Sequence, residues 1–339
     1  MRHLPRREVR ENVEIVRPAS FRRREDTCTV PEMALYVLTN VWTAVREARR
    51  WHPDIVHAHF AVPTGPVALI ASVFADIPYV LTVHLGDVPG GVPEQTDHLF
   101  RLVGPLVSPV WHRAKAVTAV SRFVARLASK AYGIEPIVVP NGVRLIAAST
   151  VPVHARTRIL MAGRLSIQKN PLLAIRALAL IREMDWSLDV IGDGPLRADM
   201  EALARHEGIA DRVTVHGWLS EAQVADRMSA SDILLMTSLQ EGLPMVAIEA
   251  LQWGLAIVSS QVGGMHDVVK EGNNGFLCEL HAASFAEKLR QLLAMPELLH
   301  AMRCASREKA AQFDLEKTVS TYESILEANR LKTDGRSGP

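Results

Sequence analysis

The chain has few of the features that would place it in a specialised class. Its cysteines are Cys28, Cys278 and Cys304, an odd and scattered set that suits a reducing compartment better than a disulfide framework. Aromatic residues are 5% of the total, too few for a base-stacking surface, and a formal net charge of +1 gives no global pull on nucleic acid. No uninterrupted apolar run reaches the roughly 18 residues of a spanning helix. The best stretch, Pro66 to Val83, is broken by Asp76 and Pro78. The start, Met1 to Arg7, leads into charge rather than an apolar segment, so no signal peptide is read. Missing as well are G-x-x-x-x-G-K-[ST], G-x-S-x-G, C-x-x-C and H-E-x-x-H, which excludes P-loop, hydrolase-elbow, thioredoxin-like and zincin chemistry. No D-x-D occurs, so no acidic pair is offered to a divalent cation, and no metal or cofactor is expected. His57 and His59 share one face of a strand, but a third ligand is lacking and a structural role is the simpler reading.

What remains is a globular composition, 48% apolar and 22% charged, over 339 residues, enough for two cores. Short β-branched runs alternate with amphipathic segments, the pattern of βα units on parallel sheets. Strands are expected at Val13 to Arg17, Asp54 to His59, Tyr79 to Leu85, Ala116 to Ser121 and Ile137 to Pro140. Helices are expected over Glu32 to Trp51, Thr64 to Ala75, Phe100 to Arg113 and Arg122 to Tyr132. The alternation restarts with strands at Arg158 to Ala162, Leu188 to Ile191, Val213 to His216, Ile233 to Thr237, Ala256 to Ser259 and Gly275 to Cys278. The expected fold class is α/β: two Rossmann-like, doubly wound parallel-sheet domains facing across a cleft. Domain one covers 1–150, domain two 151–312, and a C-terminal helix with a frayed tail (313–339) packs back toward domain one.

The most informative segment is Glu241 to Glu249 (EGLPMVAIE). Pro244 suits the first turn of a helix, and amides around Gly242, Leu243 and Met245 then point an electropositive helix end at an anion. Glu249, about a turn and a half further in, is placed to accept hydrogen bonds from vicinal hydroxyls. Phosphate beside diol describes a nucleotide; taken alone, a capped helix with one solvated glutamate explains the spacing as well. Other loops at strand ends weight the first reading. Gly163-Arg164-Leu165 with Lys169 brings two cations to the opening of a helix, where Arg grips phosphate in a fork and Lys adds a point charge. Gly192 to Pro195 is a tight turn, though not a G-x-G-x-x-G fingerprint. His216 to Leu219, with Trp218, can present backbone to a base. Val262 to Gly264 is another close-approach turn.

Taken in order, Asp54 to Phe60, Val80 to His84, Pro140 to Val143, Gly163 to Leu165 with Lys169 and Asn170, Ile191 to Pro195, His216-Gly217, Glu241 to Pro244 with Glu249, Gly263-Gly264 and Asn274 to Phe276 resemble the retaining nucleotide-sugar glycosyltransferases of family 4. The match spans about residues 54 to 280. The resemblance implies the GT-B fold and a UDP- or GDP-linked sugar donor. It implies a hydroxyl acceptor on a lipid-linked or polysaccharide glycan. It assigns Arg164 and Lys169 to the departing diphosphate, Glu249 to the ribose, and Glu241 with the amides after it to the sugar and phosphate. Gly163, Gly192, His216, Trp218 and Leu219 join them around the donor. His84 falls to the transferred sugar and Asp87 to the acceptor side. Retention by same-face attack needs no protein nucleophile. The sequence departs from the family in three places. No strand and glycine-rich loop precede Val13, so the first domain is expected to be incomplete at its start. Leu85 stands where glycine commonly follows the histidine, and Arg144 replaces an acid after Pro-Asn-Gly-Val. Two alternatives remain at this point: a truncated, non-catalytic nucleotide-binding remnant, or a sugar-nucleotide epimerase on the same fold. Eight arginines against four glutamates in residues 1–25 suggest a cytoplasmic enzyme in peripheral contact with an anionic inner membrane face.

Overall fold

A computed structural model describes residues 4–19, 29–92, 104, 107–146 and 156–331. The chain forms two compact units, one of Met1–Val120, Val124–Val138 and Thr321–Pro339, the other of Ser121–Phe123 and Val139–Ser320. The division falls at Val138/Val139, where the sequence reading placed it after residue 150, and it runs through the last helix rather than ahead of it.

In the first unit β1 (Arg7–Arg10) and β2 (Val13–Val16) form an antiparallel sheet of their own. The Val13 strand therefore closes a hairpin and does not open a βα unit. Its two-residue turn puts Glu11 and Asn12 at φ 46° and 67°, the doubly left-handed geometry that matches strand twist. The hairpin arginines meet glutamates locally: Arg17 reaches Glu8 at 2.6 Å, Arg10 reaches Glu8 at 2.9 Å, and Arg7 pairs with Glu14 and, at 2.5 Å, with Glu47. Arg2 and Arg22 to Arg24 lie outside the described residues. Helix α1 (Val30–Trp51) starts on a capping box, the Thr29 amide donating to Glu32 Oε2 at 2.7 Å. A parallel sheet then runs β3 (Val56–His59), β4 (Tyr79–Val83), β5 (Ala116–Ala119) and β6 (Ile137–Val138), with α2 (Thr64–Ala75) joining its first two strands. Every residue of β4 is buried, as expected of a strand covered on both faces. The helix expected over Phe100 to Arg113 lies only partly within the described residues.

The second unit is a six-stranded parallel sheet: β7 (Thr157–Ala162), β8 (Trp186–Ile191), β9 (Val213–Gly217), β10 (Ile233–Met236), β11 (Ala256–Ser260) and β12 (Gly275–Cys278). Their spatial order is β12-β11-β10-β7-β8-β9. Sequence order reverses between β7 and β10, the switch point beyond whose carboxyl ends such sheets bind ligands. Its core packs Ile159, Leu188, Trp186, Leu178 and Phe285 at complete or near-complete burial. At the opposite sheet end, Asp232 Oδ1 accepts from Arg303 at 2.5 Å, and Asp232 Oδ2 accepts the Arg158 amide at 2.8 Å. The last helix, Leu315–Asn329, donates its first amide to Val143 O at 3.0 Å. Its Tyr322 hydroxyl lies 3.2 Å from Thr82 Oγ1, within the first unit. No helix among the described residues is long and apolar enough to cross a membrane.

Candidate functional site

Because β7 and β10 are neighbours, their outgoing loops meet at the switch point. Lys169, ahead of the helix Pro171–Ala179, donates from Nζ to Glu241 Oε1 at 2.6 Å. The carboxylate is 6% exposed and the ammonium stem 27%, so the pair is half-sheltered. Gly163, Arg164, Lys169, Thr237 and Ser238 line one small cavity, which brings the two loop cations to the same place.

The helix opening on the same side is Met245–Trp253, with Pro244 at its N-cap in extended geometry, φ −72° and ψ 124°. Proline thus stands one position ahead of the expected first turn. The amides of Met245 and Val246 have no carbonyl behind them within the helix and remain available to an anion. The Val262–Gly264 turn presses on this loop from behind. The Gly264 amide donates to Glu241 O at 2.9 Å, and a Cβ at Gly264 would lie 1.5 Å from Gly242 O. Only glycine permits that approach, which fixes Glu241 to Leu243 in place.

Glu249 lines a larger cavity of about 690 Å³ together with Leu219, Met245, Glu221, Arg144 and Gln252. Burial raises the Glu249 carboxyl above its ordinary value, and the nearby Glu221 charge adds to the shift. In its ionised form the carboxylate has two oxygens that can accept hydrogens from a pair of hydroxyls.

Other expected residues are elsewhere. The His216 Nε2 engages the Asp189 carboxylate, and the imidazole lines neither cavity. Trp218 is 68% exposed and lines neither. Gly192 acts by packing, since its amide donates to Gly217 O at 2.7 Å and a Cβ there would meet Gly163 O at 2.1 Å. Sequence reasoning missed Thr237, Glu221 and the pocket-lining position of Arg144. Arg144 was visible as a departure from the family pattern, whereas Thr237 looked like the last residue of a strand.

In the first unit His84 follows β4. Its ring stacks on Phe60 at 4.4 Å between centroids, and its Nε2 lies 3.4 Å from His59 Nδ1. Burial, followed by the neighbouring His59, brings the His84 imidazole down to about 4, so it is neutral at neutral pH. Asp87, expected on the acceptor side, is buried among its own loops. It is 1% exposed, and its carboxylate accepts the His84 amide at 2.7 Å, with the Val62 and Ala61 amides also hydrogen-bonded to it. The side chain braces the loops after β3 and β4.

Burial pushes Asp87 up to about 7 from 3.8, against the opposing pull of those amides. Folding therefore takes up a proton between those values, and this group's contribution to stability is present below them and lost as pH rises through 7. Relative to Asp87→Asn, the native protein should lose up to about 1.4 kcal/mol per pH unit across that window. Urea unfolding of both proteins at pH 4.5 to 8 checks it; parallel stability profiles would refute it.

The family model described as Glycosyl transferases group 1 matches residues 144–309, and that described as Glycosyltransferase Family 4 matches 3–147. The 2-deoxystreptamine glucosyltransferase of Streptomyces kanamyceticus is 30% identical over 86% of this chain and 84% of its own. Sucrose-phosphate synthase of Thermosynechococcus elongatus superposes with a TM-score of 0.78 at 20% identity, over 96% of this chain and 87% of the other. The Anabaena HepE structure in complex with UDP gives 0.72 at 22% identity, over 87% and 84%. Two Rossmann-like units, the switch-point loops and these matches lead to one conclusion: the chain belongs to glycosyltransferase family 4, with the GT-B fold, and is a glycosyltransferase.

Proposed function

We propose that the enzyme transfers a hexosyl group from a UDP- or GDP-sugar to a hydroxyl acceptor with retention of anomeric configuration. Two observations support this reading: Arg164 and Lys169 line one cavity beyond β7 and β10, and Met245 and Glu249, on the helix that follows β10, line another. Two cations and a helix end supply the positive charge that a departing diphosphate requires, so the chemistry needs no metal and no cofactor. Glu249 takes the ribose hydroxyls. Glu241, held by Lys169, is assigned to the transferred sugar. A phosphate oxygen of the leaving group accepts the acceptor's proton as the acceptor oxygen attacks the same face. The acceptor hydroxyl belongs to a lipid-linked or polysaccharide glycan in this proposal, and peripheral contact of the arginine-rich start with an anionic membrane goes with it.

Titration calorimetry with UDP and GDP, followed by a sugar-nucleotide turnover panel, tests the reading. One of the two diphosphates should bind, and Glu249→Ala should weaken it about tenfold or more, the scale of a lost charged hydrogen bond. Absence of binding by either diphosphate refutes the proposal.

A further inference from the structure

Lys169 sits in a backbone setting that needs support. Asn170, the next residue, is left-handed at φ 47°, a conformation that side chains other than glycine and asparagine resist. Its amide is satisfied within the loop by Ser166 O at 3.0 Å and Ile167 O at 3.1 Å. The rest of the turn is tied across to the loop after β10. Leu239 N donates to Gln168 O at 2.7 Å, and Gln168 Nε2 donates to Gln240 O at 3.1 Å. The Thr237 hydroxyl donates to Asn170 O at 2.9 Å and to Lys169 O at 3.2 Å. Thr237 is wholly buried, so this hydroxyl has no access to water and its single hydrogen is shared between the two carbonyls that flank the Lys169–Asn170 junction.

Lys169 is therefore gripped at both ends from one segment, its carbonyl by Thr237 and its ammonium by Glu241. We propose that Thr237 is a positioning residue for the diphosphate: its hydroxyl fixes the Lys169 backbone, so that the ammonium stays within reach of the leaving group and of Glu241. The inference rests on the assignment of Lys169 to the diphosphate. A valine in place of Thr237 keeps the shape and removes the hydrogen. Lys169 O and Asn170 O would then lose the Thr237 donor, and the turn would be free to relax.

The test compares diphosphate with monophosphate. Calorimetry on the full chain measures UDP against UMP, and GDP against GMP, for the native protein, Thr237→Val and Thr237→Ser. Thr237→Val should bind the preferred diphosphate roughly three- to tenfold more weakly, the scale of one buried hydrogen bond, with the monophosphate unchanged and kcat lowered more than KM is raised. Thr237→Ser should restore diphosphate affinity. In a Lys169→Ala background Thr237→Val should have no further effect on diphosphate affinity. Equal weakening of both nucleotides, persistence of the effect without Lys169, or native affinity in Thr237→Val overturns the positioning role while leaving the donor assignment intact. A native protein that binds neither diphosphate overturns both.

Discussion

Replacing Lys169 by alanine should lower kcat/KM by about 10²–10³-fold, the usual cost of one charge-stabilising group aimed at a developing anion. Arg164→Ala should fall in the same range. Lys169 has a second duty that complicates the measurement. Its ammonium is the partner of a carboxylate that is 6% exposed, so the alanine variant also strands the Glu241 charge. A loss of turnover therefore has to be separated from a loss of structure. The double variant Lys169→Ala/Glu241→Gln removes the stranded charge and should recover most of any fall in melting temperature. Turnover should stay below that of the single Glu241→Gln variant, which carries the cost of changing the sugar-side carboxylate, because the group facing the diphosphate is still gone. If turnover returns along with stability, Lys169 serves the fold and not the chemistry. A kcat loss with little change in KM would place its contribution in the transition state rather than in donor binding.

The largest expected effect on stability lies at the other end of the same sheet. Arg303 is buried, and all three guanidinium nitrogens are used: Nε donates to Gly254 O at 2.9 Å, one terminal nitrogen to Asp232 Oδ1 at 2.5 Å and the other to Ser231 O at 3.2 Å. Asp232 in turn holds the Arg158 amide, so one ion pair joins the starts of β7 and β10 to the helix Pro296–Ala310. Arg303→Ala would leave Asp232 buried without its counter-charge, and should destabilise the protein by about 3–5 kcal/mol. Equilibrium urea unfolding reads this directly. Diphosphate affinity, measured well below the melting transition, should not change, since the pair stands at the opposite end of the strands from the donor loops. A loss below about 1 kcal/mol would mean that water or a rearranged partner satisfies Asp232.

The two predictions mark what was legible in the sequence. The site loops could be read because their residue types carry local meaning: glycines where backbone must approach, two cations before a helix, Glu241 and Glu249 bracketing a helix start. Parallel strands were legible from β-branched runs, and Gly275–Cys278 appears with the expected bounds. The hairpin Arg7–Val16 was not, because its turn uses Glu11-Asn12 rather than a glycine-bearing pair, and Asn12 alone is a weak sign of left-handed geometry. The burial of Asp87 was not legible either, since spacing after His84 cannot tell whether a carboxylate turns outward or into its own loop amides. Asp232 with Arg303, and Thr237 with Lys169, are partners distant in sequence; such pairs are set by sheet order, which no local pattern records.

The central claim is that the loops after β7 and β10, with the Met245–Trp253 helix and Glu249, hold a nucleoside diphosphate. The most direct measurement is a crystal structure grown with whichever of UDP or GDP binds. The account predicts the diphosphate within hydrogen-bond distance of Lys169 Nζ, the Arg164 guanidinium and the Met245 or Val246 amide, with ribose hydroxyls on Glu249. Nucleotide bound elsewhere, or a ribose turned away from Glu249, would contradict it.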